Sequence, residues 1–206
     1  MKKFINNYLP WIVVIISLIC FVVLFYNIKN NNISEFDQSI YNFIIKYKSD
    51  GLTKFFKVIT YLGESKLILV LCVLLFIVIK NKMFGLSLGL VSVGSFGVNY
   101  FIKHIVKRPR PDGIALISED GYSYLSTHSL ASVVFYGFII YNICKSKLKK
   151  VYKVLLTILW IIIMLLVPIS RIYLGVHYAS DTISGLLLGI IFLIVYIKVI
   201  YKRVQK

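Results

Sequence analysis

Two short segments of the chain, residues 103–128 and 170–181, concentrate basic, hydroxyl and imidazole side chains between long apolar runs. This composition suits the binding of a phosphate ester, which carries up to about two negative charges and needs fixed cations around it. Arginine fits that task because its planar guanidinium can donate to two phosphate oxygens at once. The candidate cations are Lys103, Lys107, Arg108, Arg110 and Arg171.

The same segments supply candidates for a nucleophile and an acid. Cleavage of a phosphate ester requires a nucleophile in line with the leaving oxygen and an acid that protonates this oxygen. His128 and His177 are the candidates for these two roles. Asp181 follows His177 by four residues, a spacing that places both on one face of a helix. There the carboxylate would orient the imidazole and stabilise its positive charge.

Ser126 and Thr127 stand directly before an apolar run that begins at His128. Either hydroxyl could cap a helix starting there, and the free N–H groups of a helix N-terminus favour bound phosphate. We interpret Lys107 and Arg108 as interfacial basic residues outside the site. No cluster has the spacing of metal ligands, so we predict neither a metal nor another cofactor.

The rest of the sequence has the composition of an integral membrane protein. Of its 206 residues 59% are hydrophobic, and the mean hydropathy is +0.83, which exceeds what a soluble domain of this length needs. The net charge of +16 would suit nucleic-acid binding, but the basic residues lie in short clusters between apolar runs, as at membrane edges. We therefore predict a single membrane domain over residues 1–206, embedded in the lipid bilayer and without a nucleic-acid partner.

Six apolar runs approach the length of about 20 residues that a membrane-spanning helix needs. They cover about residues 8–27, 66–79, 84–102, 128–144, 151–169 and 179–200, with an alternative start for the second run at Leu52. The predicted fold is therefore an all-α bundle of six transmembrane helices. The pairs Gly85-x3-Gly89 and Gly185-x3-Gly189 would let helices of this bundle approach closely.

The distribution of charge predicts the orientation of the bundle. With both termini in the cytoplasm, the basic clusters at 2–3, 80–82, 145–153 and 198–206 lie inside, and all eight acidic residues lie outside. This is the arrangement that the positive-inside rule expects. The two polar segments then open on the same side and form one site at the outer membrane–water interface.

The segment from Ile33 to Lys57 mixes polar residues with apolar ones at helical spacing. The apolar residues are Phe36, Ile40, Phe43, Ile44 and Tyr47. A helix lying in the outer interface and an amphipathic connector packed on the bundle explain this pattern equally well.

Three motifs in the polar segments resemble a known family. They are Lys103-x6-Arg110-Pro111, Ser126-x-His128 and Ser170-Arg171-x5-His177-x3-Asp181. In this order and on one membrane side they are similar to the type-2 phosphatidic acid phosphatase family, and the resemblance by motif covers about residues 100–185. It implies a metal-independent lipid phosphatase with the active site on the outer face of a bacterial cell membrane.

The resemblance also implies a role for each matching residue. The phosphate-binding groups would be Lys103, Arg110, Arg171, the Ser126 hydroxyl and the backbone N–H of Thr127. The implied substrates are undecaprenyl pyrophosphate, phosphatidylglycerophosphate and phosphatidic acid.

The catalytic residues that the resemblance implies are the two histidines and the aspartate. His177 would be the nucleophile and form a phosphohistidine, Asp181 would orient it, and His128 would protonate the leaving group. Each of these three side chains is present in this sequence.

The second motif departs from the family, because Leu125 and Thr127 stand where the family has proline and glycine. A β-branched residue is poorly tolerated at positive φ, so the N–H at 127 would be displaced or the pocket crowded; alternatively, the hydroxyl would add a donor. A catalytically impaired member that binds anionic lipid without turnover is the alternative function, against which the retained His177, His128 and Asp181 argue. A transporter has the least support because the spans carry little charge.

Overall fold

The computed structural model describes residues 2–201, and this part of the chain is helical, with no strand. The helices are α1 (Lys2–Lys29), α2 (Ser34–Ile45), α3 (Asp50–Tyr61), α4 (Ser65–Val78), α5 (Lys82–Val106), α6 (Thr127–Lys145), α7 (Lys150–Tyr173) and α8 (Ala179–Val195), which a π-helical segment (Tyr196–Tyr201) continues. The prediction of an all-α fold is confirmed. Met1 and residues 202–206, which hold part of the last predicted basic cluster, lie outside the described residues.

The helices account for the six predicted spans. Within the described range, α1, α5, α6, α7 and α8 with its continuation are each long and apolar enough to cross a membrane. The candidate for the sixth span is the pair α3 and α4, which together pass the same test but are bent by 52° at residues 62–64. The second span therefore follows the earlier of the two predicted starts, and the prediction of a multi-pass helical membrane protein is confirmed.

The centre of the bundle is α6, which packs against α5, α7 and α8. Half of its most apolar window is buried (50%), whereas only 6% of the corresponding window of α1 is buried. Because exposed apolar side chains in a membrane protein face lipid, α1 lies at the periphery of the bundle. The central α6 carries His128 in its first turn.

The glycines of α8 bring its first turns against the start of α6. A Cβ added at Gly185 would lie 2.7 Å from the carbonyl oxygen of Ser126, and one added at Gly189 would lie 2.8 Å from Cβ of Val133. The predicted close approach is thus present at this pair, and only glycine permits it. In the earlier pair, Gly85 also forms such a contact, because an added Cβ there would lie 2.5 Å from Cα of Phe76 in α4, whereas one added at Gly89 would meet nothing within 4 Å.

The segment predicted to be amphipathic forms the two helices α2 and α3. The side chains of Phe36 and Phe43 in α2 are exposed, whereas Asp37 is only 3% exposed and faces α8. Exposed aromatic groups are typical of a helix at a membrane interface. Helix α3 packs on α7, where the rings of Phe56 and Tyr173 lie 4.7 Å apart. Packing on the bundle is thus observed for this segment, and the position of α2 in the outer interface stays a prediction with which its exposed aromatic side chains agree.

Candidate active site

A cavity of about 710 Å³ lies among the polar ends of α3 to α7 and the loops that follow α5 and α7. The predicted site residues that line it are Lys103, Arg110, Thr127, His128, Arg171 and His177. Ser126 and Asp181 are fully buried and lie behind this lining. The structure thus brings together side chains from two segments that are about fifty residues apart in the sequence.

His177 is held with one ring nitrogen toward a carboxylate and the other toward a cation. Its Nδ1 lies 3.5 Å from Oδ2 of Asp181, and its Nε2 lies 3.2 Å from Nη1 of Arg110. An arginine can only donate, so Nε2 accepts and the ring proton is on Nδ1, as assigned from these contacts. Burial lowers the pKa of His177 well below 6.5, and the charges of Arg171, Arg110 and Lys103 lower it further. His177 is therefore neutral at neutral pH, with the lone pair of Nε2 among the cations of the cavity.

Asp181 is fixed by several donors in the first turn of α8. Its Oδ2 accepts from the backbone N–H of Tyr178 at 3.1 Å and from the hydroxyl of Ser123, whose oxygen also lies 3.4 Å from Nδ1 of His177. The N-terminus of a helix further stabilises a carboxylate. Ser123 was not among the predicted site residues, because its spacing to His177 and Asp181 carries no motif. The Ser123 hydroxyl therefore lies beside both Asp181 and the Nδ1 nitrogen that Asp181 orients.

Arg108 links Asp181 to the interfacial helix α2, so its interpretation as an interfacial basic residue is wrong. Its Nη1 lies 2.6 Å from Oδ1 of Asp181, and its Nη2 lies 2.8 Å from Oδ2 of Asp37. The guanidinium also stacks on the ring of Tyr178, 4.0 Å from the centroid. Asp37 accepts in turn from the backbone N–H of Ser180 at 2.7 Å. No local pattern could reveal this bridge, because Arg108 and Asp37 are 71 residues apart.

Lys107, in contrast, is exposed at the end of α5. Its position agrees with the interpretation made from the sequence. The two adjacent basic residues therefore differ in environment although the sequence treats them alike.

Arg171 and Arg110 share a carboxylate that the sequence did not assign to the site. Arg171 is fully buried; its Nη2 lies 2.5 Å from Oε1 of Glu119, and its Nη1 donates to Thr60 at 2.6 Å. Oε2 of Glu119 lies 3.6 Å from Nη2 of Arg110. The Nε of Arg171 is buried and has no hydrogen-bond partner. The buried guanidinium therefore keeps one unused donor.

Backbone carbonyl groups of the two loops hold the remaining cations in place. Lys103 donates to the carbonyl oxygen of Tyr122 at 2.7 Å, and Arg110 donates to that of Val176 at 2.7 Å. The loops can approach because Gly175, at φ +69°, has no side chain: an added Cβ would lie 2.4 Å from the carbonyl oxygen of Ile114. Only glycine adopts this conformation at such a close contact without strain.

At the start of α6, Thr127 avoids the backbone strain that the sequence suggested. Thr127 is the first helical residue, and the non-glycine residues with positive φ in the described range are Asn31 and Lys107. The backbone at 127 is therefore unstrained. Its hydroxyl oxygen accepts from Nδ2 of Asn99 at 2.5 Å, which leaves the hydroxyl proton available as a donor. Ser126 caps α6, accepting from the backbone N–H of Ser129 at 3.4 Å.

The side chain of His128 lines the cavity and makes no hydrogen bond to another described residue. Gly63, at the bend between α3 and α4, packs directly against it: an added Cβ there would lie 3.2 Å from Cβ and Cδ2 of His128. The bend thus places the imidazole, whose nitrogens stay available to a ligand in the cavity.

A metal site would need several ligand side chains close together in space. Among residues 2–201, no group of three or more His, Cys, Asp or Glu side chains is arranged to hold a metal ion. The basic side chains that line the cavity are Lys57, Lys66, Lys103, Arg110 and Arg171.

A multi-pass helical bundle with a neutral, carboxylate-oriented histidine beside arginine and lysine side chains defines a membrane protein equipped to bind and transfer a phosphoryl group. The family model described as the PAP2 superfamily matches residues 68–205. The chain belongs to this superfamily. The resemblance drawn from the three motifs is thereby confirmed.

Individual relatives agree with this assignment. The chain is 30% identical over 179 residues to phosphatidylglycerophosphatase B of Bacillus subtilis (strain 168), covering 83% of this chain and 86% of that protein. It matches the crystal structure of a transmembrane PAP2-type phosphatidylglycerolphosphate phosphatase from Bacillus subtilis with a TM-score of 0.84 and 28% identity, covering 97% of this chain and 98% of the other.

A more distant match is to LpxE of Aquifex aeolicus. The TM-score is 0.59 at 24% identity, with 78% of this chain and 94% of the other covered, which shows a common fold. Together with the family, the Bacillus match in sequence and in structure confirms the prediction that the chain is an enzyme of the lipid phosphatase class.

Proposed function

We propose that this protein hydrolyses the phosphomonoester or diphosphate of a membrane lipid through a phosphohistidine on His177. The observation that carries the proposal is the geometry of that ring, with Nδ1 beside Asp181 and Nε2 3.2 Å from Arg110. A nucleophile needs an unprotonated atom next to the place where a phosphoryl group is bound. Nε2 of His177 meets both conditions.

In the first step, Nε2 of His177 attacks phosphorus while the bond from phosphorus to the leaving oxygen breaks. The proton of His128 passes to that oxygen, and the positive charge that develops on His177 is stabilised by Asp181. In the second step, a water molecule loses a proton to His128 and attacks the phosphohistidine. The P–N bond breaks, inorganic phosphate leaves and both histidines return to their starting states.

The cations of the cavity support binding of the phosphoryl group. Lys103, Arg110 and Arg171 line the cavity around His177, where their positive charges attract a phosphate group. The hydroxyl proton of Thr127 offers a further donor at the start of α6. Fixed donors of this kind stabilise the charge of a transition state because they need not reorganise. We therefore propose that the reaction is independent of a metal.

The substrate that we favour is phosphatidylglycerophosphate. The support is the name of the Bacillus relatives, which match most of this chain. Phosphatidic acid, which is also a phosphomonoester, and undecaprenyl pyrophosphate, which presents a terminal phosphoryl group on a diphosphate, are the two alternatives. We place the site at the outer face of a bacterial membrane, with both termini in the cytoplasm, because this orientation leaves basic clusters inside.

Phosphate release by the purified, detergent-solubilised protein tests the proposal. The three lipids are offered separately in the presence of EDTA, with His177→Ala as the control variant. We expect release that depends on His177 and persists with EDTA, highest with phosphatidylglycerophosphate. Release that survives His177→Ala would refute the assigned nucleophile, and release that EDTA abolishes would refute metal independence.

The alternative is a family member that binds anionic lipid without turnover. Its main support in the sequence was Thr127, which the structure places in an unstrained helical conformation. Folded protein that binds the lipids but releases no phosphate from any of them would favour this alternative.

A further inference from the structure

Glu119 occupies the donors that the proposed function assigns to phosphate. Its carboxylate lies 2.5 Å from Nη2 of Arg171 and 3.6 Å from Nη2 of Arg110, and its side chain lines the cavity with His128 and His177. Neither arginine can complete its contacts with a phosphoryl group until this carboxylate moves. Glu119 and the phosphate therefore compete for the same two guanidinium groups.

The burial of Arg171 explains why an empty site needs such a carboxylate. With Glu119 in place the side chain of Arg171 is 0% exposed, and among the described residues Glu119 is the carboxylate that pairs with it, so the guanidinium loses this counter-ion when Glu119 moves away. A buried charge that loses its partner is strongly destabilising. Glu119, whose side chain is 27% exposed, can reach this charge from the mouth of the cavity and can also leave it toward solvent.

Replacement of the Glu119 carboxylate by phosphate is favourable because the carboxylate accepts only some of the hydrogen bonds that the two arginines can donate. The Nε of Arg171 has no partner while Glu119 is bound, and the distance to Arg110 exceeds that of a hydrogen bond. A phosphomonoester brings up to about two charges and three strong acceptor oxygens, against one charge and two oxygens for a carboxylate. Lys57 and Lys66 line the same cavity and form no ion pair with a described residue, so the displaced carboxylate has cations near it.

We propose that Glu119 is the resident counter-ion of the phosphate site, pairing Arg171 and Arg110 while the site is empty and returning to them when inorganic phosphate leaves. The proposal rests on the proposed function of the same cavity. As a consequence, the enzyme should bind the product, inorganic phosphate, only weakly. Phosphate departs without leaving a buried guanidinium unpaired, because the carboxylate takes its place.

Binding of inorganic phosphate tests the proposal on purified full-length protein. The variant is Glu119→Gln, which keeps the size of the side chain and removes its charge. The matched control is Asp120→Asn, since Asp120 lines the same cavity but makes no ion pair with a described residue. We measure the inhibition constant of inorganic phosphate in the phosphatase assay and, separately, the phosphate concentration that raises the midpoint of thermal unfolding.

For Glu119→Gln we expect phosphate to bind about 10- to 100-fold more tightly than to the wild type, the range that corresponds to one charge-assisted hydrogen bond that need no longer be broken. Without phosphate the variant should unfold at a lower temperature, and phosphate should restore its stability. The control should differ from the wild type much less than Glu119→Gln does, because the charge of Asp120 acts on Arg110 without forming an ion pair. If the variant folds only when phosphate is present, this dependence is the same effect in a stronger form.

Unchanged or weaker phosphate binding in Glu119→Gln would overturn the proposal, and so would a loss of folding that phosphate does not restore. Weaker binding would mean that Glu119 positions the arginines for phosphate instead of competing with it. Failure of the proposed function looks different: wild type and control would then both release no phosphate from lipid and show no stabilisation by inorganic phosphate.

Discussion

Replacing Arg108 by glutamine should destabilise the protein and impair catalysis, although Arg108 does not line the cavity. The guanidinium is the common partner of two buried carboxylates, Asp37 at 3% and Asp181 at 0% exposure, at 2.8 and 2.6 Å. Removing one partner of a buried ion pair costs about 3–5 kcal/mol, because the remaining charge stays buried without compensation. Here a single substitution removes the partner of two such charges, so we expect a loss of at least about 3 kcal/mol.

Part of this loss should appear in catalysis. Asp181 orients His177, and without Arg108 the carboxylate can satisfy its Oδ1 only by moving. A displacement of about 1 Å in a catalytic group can lower a rate about 100-fold. We therefore expect a lower kcat with a smaller change in KM, because Arg108 does not contact the bound phosphoryl group in the proposed arrangement.

The assay combines thermal unfolding, followed by tryptophan fluorescence in detergent, with phosphate release from lipid. The matched control is Lys107→Gln, which removes the same charge from the adjacent, exposed residue and should behave like the wild type. Adding Asp37→Asn to Arg108→Gln should restore part of the stability, since it removes one of the two unpaired carboxylates. Equal effects of the Lys107 and Arg108 substitutions would refute the reasoning, and so would an Asp37→Asn substitution that only adds to the damage.

Three further predictions concern the cavity itself. Because burial and nearby cations lower the pKa of His177 well below 6.5, its protonation should end activity only at a pH below that value; an acid limb of kcat/KM centred above pH 6.5 would contradict this. Gly63→Ala places a methyl group 2.4 Å from Cγ1 of Val167 and 3.2 Å from His128, so it should lower the stability by about 1–3 kcal/mol and also lower kcat. Gly89→Ala, whose methyl group meets nothing within 4 Å, should change neither. Equal kcat values for the two variants would show that Gly63 does not position His128. Thr127→Val should raise KM because it removes the hydroxyl donor, whereas Thr127→Ser should not, and a Val variant with the KM of the wild type would remove Thr127 from the phosphate site.

The sequence predicted the parts of this structure that depend on local pattern. Apolar runs predict the spans, and the i,i+4 spacing of His177 and Asp181 correctly indicates that the two side chains are neighbours. Their contact does not come from a shared helix face, because α8 begins only at Ala179 and His177 lies in the loop before it. The bend between α3 and α4 was less predictable, because an apolar run is interrupted there by three residues only. The extra helix α2 was indicated by its periodicity, but its buried Asp37 was not.

The residues that the sequence did not reveal are those whose roles come from long-range contacts. Ser123, Asp37 and Glu119 are ordinary polar residues in loop or interfacial segments, and each acquires its role from a partner more than fifty residues away. Such contacts leave no periodic signal in a single sequence. For Thr127 the sequence suggested a strained backbone, and the fold removes the strain by beginning α6 at that residue.

The segment Arg108-Pro109-Arg110-Pro111 shows how two similar residues acquire different functions. A residue before proline prefers extended conformations, so the backbone at both arginines is restricted and their side chains start from a backbone with few alternative conformations. Arg108 donates to carboxylates and so fixes Asp181, while Arg110 donates to backbone carbonyls and to Nε2 of His177. The first arginine thus stabilises the group that orients the histidine, and the second keeps the nucleophilic nitrogen unprotonated beside the place for phosphate. Because the contacts of Arg108 are already filled by protein carboxylates, an incoming anion can compete only for the guanidinium groups of Arg110 and Arg171, and Glu119 is the carboxylate that it meets there.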